Sequence, residues 1–149
     1  MSDSPQNIPV GNDHYEALGK MTVSWAFFEL IIDMKIWELS GIDSDLGACI
    51  TSQIAGPGRK LDALISIIRH RIGEGMTKKL NSFHQHALGL AERRNRMIHD
   101  PLMKLEGEDH PRRIEITAKR RLRVETEPQT VREILELGRE IHQHASKFE

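Results

Sequence analysis

The sequence predicts a mainly helical fold, an up-and-down bundle of four to five helices with a small β-hairpin inserted before the last of them. Three observations predict it. Apolar residues return at three- and four-residue steps through several long segments, the spacing of one face of an α-helix. Glycine and proline punctuate those segments at Ser40-Gly41, Gly56-Pro57-Gly58, Gly73-Glu74-Gly75 and Pro101. Between residues 102 and 126 the apolar period drops to two, the signature of short strands. At 149 residues the chain fits one domain with a working core. Residues 1–12 read as a loose leader and 13–149 as a single helical domain carrying the 102–126 insertion.

The first helix is expected from about Asp13 to Leu39, with Leu18, Met21, Trp25, Phe28, Ile32, Ile36 and Leu39 as its buried seam. Such a helix is about 40 Å long. Phe27, Leu30, Ile31 and Met34 fall off that seam and form a second apolar stripe, which points to a dimer. A second helix is expected over about Ser44 to Ala55, followed by a plain turn at Gly56-Pro57-Gly58. The run GPGRK lacks the full spacing of a phosphate-binding loop and follows no strand. A third helix, about Arg59 to Ile72, buries Leu61, Leu64, Ile65 and Ile68. Thr77 is placed to cap a fourth, which continues to His99 along the stripe Leu80, Phe83, Ala87, Leu90, Ala91 and Ile98.

In the insertion, Ile114, Ile116 and Ala118 alternate with polar neighbours, as do Leu122 and Val124, which predicts a small antiparallel hairpin. Thr126-Glu127-Pro128-Gln129 reads as the N-terminal cap of the last helix, with proline in its first turn. That helix runs through Val131, Ile134, Leu137, Ile141 and Ala145.

Hydrophobic residues at 38% and charged residues at 29% describe a globular protein, and no apolar stretch approaches the roughly 20 residues that cross a bilayer, so no membrane partner is expected. Lone Cys49 forms no internal disulfide, suits a reducing cytoplasm and reads as a small core residue on a helix. His84 and His86, like His142 and His144, are two apart and so about 160° apart on a helix, unable to grip one metal. No metal and no cofactor is expected.

One run remains: LGLAERRNRMIHDP, which ends the fourth helix. Arg94 falls on the apolar stripe, where a guanidinium needs a carboxylate or an anion to bond. Glu29, ringed by Phe27, Phe28, Leu30 and Ile31, is the most plausible internal partner. Such a bridge leaves other guanidinium donors free for a phosphate oxygen. Asn95 and His99 are four apart, within about 40° of each other, and share one side of the helix. Pro101 stops the helix, leaving His99 in the last turn, where unpaired carbonyls favour imidazolium. Glu92, Arg93 and Arg96 read as solvated.

An arginine, a polar residue directly after it, three more residues and a histidine, late in a helix of an all-helical domain, resembles the signature of the HEPN superfamily of helical ribonucleases and nucleotide-binding proteins. The run ERRNRMIHDP and the long first helix with Trp25 and Glu29 in WAFFE look like it too, over residues 13–100 and again from 127. The resemblance implies a metal-independent endoribonuclease acting on single-stranded RNA, built as a homodimer in which two motifs face each other across a cleft. His99 of each subunit would then serve as acid and base, Arg94 would hold the scissile phosphate, Asn95 would orient His99 or the phosphate, and Glu29 would support them. It also implies a toxin or defence role, with a protein or nucleotidyltransferase-type antitoxin as partner. The alternative is a non-catalytic HEPN-like nucleotide-binding or scaffold module.

A net charge of −1 argues against a broad nucleic-acid footprint. A local one is placed on the hairpin, where Arg112, Arg113, Lys119, Arg120, Arg121 and Arg123 meet only Glu115. This is a candidate RNA clamp, weighed against a solvated edge guarded by charge. A third reading, a nucleic-acid-binding regulator with the hairpin as a wing, lacks stacking platforms, since aromatics make up 5%.

Overall fold

The computed structural model describes residues 10–117 and 122–148. Among them are five α-helices, α1 (Asn12–Ser40), α2 (Ser44–Thr51), α3 (Gly56–Ile72), α4 (Thr77–His99) and α5 (Val131–Ala145). Strands β1 (Leu102–Met103), β2 (Arg112–Thr117) and β3 (Arg123–Pro128) form an antiparallel sheet in the order β1-β2-β3. The fold is therefore mainly helical with a small sheet before the last helix, as the periodicity predicts. The insertion gains a third strand, because Leu102 and Met103 pair with Arg113 and Arg112.

The core forms where α1 packs on α5 and α3, with α4 closing against α3 and α5. Met21, Phe28 and Ile32 of α1 are fully buried with Ile134, Leu137 and Ile141 of α5. Gly138 lets the two helices approach closely, since a Cβ there would lie 3.3 Å from the Cα of Met21. The expected seams of α3 and α5 are buried at every position except Val131, which packs at the margin. On α4 the sequence missed Met97, which is buried, while Ile98 packs only partly.

Several boundaries move for local reasons. Helix α2 ends at Thr51, not near Ala55, and is capped by the Asp43 carboxylate, which accepts from the amides of Asp45 and Leu46. The next helix starts at Gly56 instead of Arg59. Gly56, at φ +77°, and Pro57, in the first turn where no N–H is required, begin α3. Thr77 is the first helical residue of α4, and Met76 holds the cap position. Thr126 and Pro128 belong to β3; α5 is capped by Thr130, whose hydroxyl accepts from the Glu133 amide while the Glu133 carboxylate accepts from the Thr130 amide. That threonine-glutamate pair three apart was the readable signal, and the similar spacing at Thr126 obscured it. Cys49 is exposed on α2, so its reading as a core residue is corrected.

The second stripe of α1 needs one correction. Ile31 is buried, but Phe27, Leu30 and Met34 are exposed, and Val23 extends them to 70% exposure. The stripe Val23, Phe27, Leu30, Met34 recurs at four-, three- and four-residue steps, about 150° around the helix from the core seam. No helix among the described residues is long and apolar enough to cross a membrane.

Candidate active site

The three motif residues lie within the last turns of α4, which ends at His99 because Asp100 adopts extended backbone before Pro101. Arg94 is half-buried over the first helix. Its guanidinium carbon lies 5.9 Å from the centroid of the Trp25 ring, at the outer limit of a cation–π contact. Its Nη1 donates to Asn95 Oδ1 at 2.8 Å, and its Nε is buried without a hydrogen-bond partner among the described residues. The expected bridge to Glu29 does not form. Instead the Trp25 indole donates its Nε1–H to Glu29 Oε1 at 3.1 Å, so carboxylate and guanidinium meet the same tryptophan and not each other. Asn95 orients Arg94, while His99 stands exposed at the helix end.

The opposite side of α4 is arranged differently. Arg96, expected to be solvated, is half-buried: its Nη1 lies 2.9 Å from Glu115 Oε1 on β2 and 3.5 Å from Asp100 Oδ2. Asp100 also lies 3.5 Å from Arg113 Nε. The charged face of β2 thus packs on the helix, while Ile116 and Val124, paired across the strands, face outward at 58% and 59% exposure. Arg93, likewise expected to be solvated, makes a two-pronged bond to Glu140 on α5, and this pairing holds the Glu140 carboxyl below its usual range.

These contacts reshape the basic hairpin. Arg112 donates through Nε to Glu108 at 2.8 Å and reaches the carbonyl of Thr126. Arg113 is taken up by Asp100, and Glu125 and Glu127 stand on β3. The expectation of a single acid among these cations is therefore corrected: folding brings Glu108, Asp100 and Glu127 beside them. Arg123 is exposed; Lys119, Arg120 and Arg121 lie outside the described residues. A cleft of about 270 Å³ beside Arg93, Arg96 and Arg113 also carries Glu127, Glu133 and Glu136, so its charges balance and it is no anion site.

The histidines find other partners. His84 lies 3.2 Å from Asp62, and His142 stacks on Phe27. No group of three or more histidine, cysteine or acidic side chains among the described residues is placed to hold a metal ion. The buried polar residues His14, Thr51, Gln129 and His144 all escaped sequence reasoning, and two of them meet the motif helix. Gln129 donates to the Met97 carbonyl and so ties the start of α5 to the motif helix, and His144 is buried against α4. Nothing local marks either, because the partners of both lie on other elements. The chain matches no family model, no curated protein and no solved structure.

Proposed function

We propose that the chain is a metal-independent endoribonuclease of HEPN type that cuts single-stranded RNA at a site shared by two copies. The observation that carries this reading is the state of Arg94. It is half-buried, held by Trp25 and Asn95, paired with no carboxylate among the described residues, and set five residues, about 1.4 turns, before an exposed histidine. A cation so held is ready for a phosphate oxygen. In-line cleavage needs a base at the ribose 2′-OH, an acid at the leaving 5′-oxygen and fixed donors for the phosphorane. One His99 cannot serve both faces, and two can. The exposed stripe Val23, Phe27, Leu30 and Met34 supports such pairing, since an apolar helix face of this length is covered in most soluble assemblies. Of the proposed RNA clamp, Arg123 remains uncommitted among the described cations, because Arg112 bonds to Glu108 and Arg113 lies at ion-pair distance from Asp100. A toxin or defence role with an antitoxin partner belongs to the same reading.

The commitment of Asn95 to Arg94, leaving His99 unoriented by it, favours the second reading, a module that binds nucleotide or RNA without cutting. Incubation with single-stranded RNA in EDTA separates the two. The first predicts cleavage that falls about 10²- to 10⁴-fold in His99→Ala and is lost in Arg94→Ala, with the DNA analogue bound and uncut. Binding without cleavage selects the second, and cleavage that survives both substitutions refutes the first.

A further inference from the structure

A cavity of about 500 Å³ opens between α3, the first half of α4 and the end of α5. His86 stands at its rim, roughly 20 Å along α4 from His99, so the motif is not part of it. One wall is apolar, made by Ile68, Leu80 and Phe83; the rim carries Lys79, Lys147 and His86; no carboxylate is among the described residues that line it. That volume is typical of small-molecule sites, which combine an apolar wall with a few convergent polar groups.

His144 completes the wall. It is 2% exposed, and its ring stacks on Phe83 at 3.8 Å and on His86 at 4.6 Å. Its Nε2 lies 3.2 Å from the Phe83 carbonyl oxygen, so the proton sits on Nε2 and donates there. Burial, reinforced by the neighbouring His86 and Lys147, pushes its pKa down to about 4 and leaves the ring neutral at neutral pH. Nδ1 is then a bare acceptor, buried with no hydrogen-bond partner among the described residues.

We propose that this cavity binds a small aromatic anion: a planar body against Ile68, Leu80 and Phe83 beside the ring of His144, and a carboxylate or phosphate held by Lys79 and Lys147. The inference is independent of the ribonuclease reading, because the two sites share no residue.

The test follows the ring Cε1–H signals of His144 and His86 by NMR in the intact chain, titrated separately with 3-hydroxy-2-naphthoate, 1-naphthyl phosphate, 2-naphthol and inorganic phosphate. The expected result is a saturable shift with one or both naphthyl anions, the responding arm naming the head group. The double variant Lys79→Glu with Lys147→Glu, at exposed positions, weakens that binding at least tenfold, and Lys78→Glu leaves it unchanged. Equal binding of 2-naphthol, the same shifts from phosphate alone, unaltered affinity in the double variant, or silent rings at millimolar probe would each overturn the proposal.

Discussion

Arg94 and Arg96 stand two residues apart on one helix and meet opposite electrostatic fates. Arg96 turns toward the sheet and is neutralised by Glu115 and Asp100, which are themselves about as buried as it is. Arg94 turns toward α1 and finds an indole face and an amide, with one nitrogen left buried and unbonded. The first arrangement stabilises the fold, because removing one member leaves the others as half-buried charges without a partner. The second leaves a buried Nε–H without an acceptor among the described residues, at about 1–3 kcal/mol, against a weak ring contact of about 0.5–1 kcal/mol and one hydrogen bond to exposed Asn95. A cation that meets no acid is a candidate for binding an anion, and one that closes an ion network is a candidate for architecture.

The pair Arg94→Met and Arg96→Met gives the widest separation. Methionine keeps much of the apolar stem and removes the charge. Arg94→Met is expected to lower RNA cleavage about 10²- to 10³-fold, the scale of a lost transition-state donor, with unfolding free energy unchanged or slightly higher. Arg96→Met is expected to keep cleavage within a few-fold and to lose about 1–3 kcal/mol in urea unfolding. If Arg94→Met proves the destabilised member of the pair, the contrast is wrong.

The comparison sharpens above pH 6.5, for a reason that lies at the other end of α4. His144 titrates at about 4 in the folded chain, below its ordinary 6.5, chiefly because it is buried. The unfolded chain therefore binds the proton first. The stability this contributes is complete above the unfolded value and is lost as pH falls from there through the folded one, on the order of 3 kcal/mol. Chemical denaturation between pH 7 and 4 is expected to show this acid limb in wild type and both methionine variants, and to show it flattened in His144→Phe. An acid limb that survives that substitution at full size assigns the loss to other groups.

The smallest effect belongs to Arg93, a third arginine of the same run. Its pairing with Glu140 is two-pronged but about half exposed, with side chains at 49% and 41%, so solvent screens it. Arg93→Ala is expected to cost under about 1 kcal/mol, to lose that effect in high salt and to leave cleavage alone. A larger loss would move Arg93 into the architectural class with Arg96.

Much of the site was legible from spacing. The helix ending at His99 and the placing of Arg94 toward the interior follow from a 3.6-residue period and from Pro101. Three features were not legible. The alternation in the hairpin suggested an ordinary half-buried sheet, yet its charged face packs on α4, because Arg96 and Arg113 need Glu115 and Asp100 more than Ile116 needs cover. The stripe on α1 looked four residues wide from Phe27 to Met34, yet Ile31 turns inward and Val23 outward. The partner assigned to Arg94 was the wrong acid, since the indole of Trp25 engages Glu29 from the same helix.

The sequence by itself determined the helices, their inner faces and the punctuation between them, because side-chain period, caps and breakers act over a handful of neighbouring residues. Only the tertiary structure decided which charges cancel. Arg93 finds Glu140 at 47 positions' remove, Arg96 finds Glu115 on a strand, and Arg94 finds no acid among the described residues. Electrostatic pairing falls steeply with distance in space and has no regular period along the chain, so three arginines alike in sequence became different in kind only when the helices and sheet closed around them.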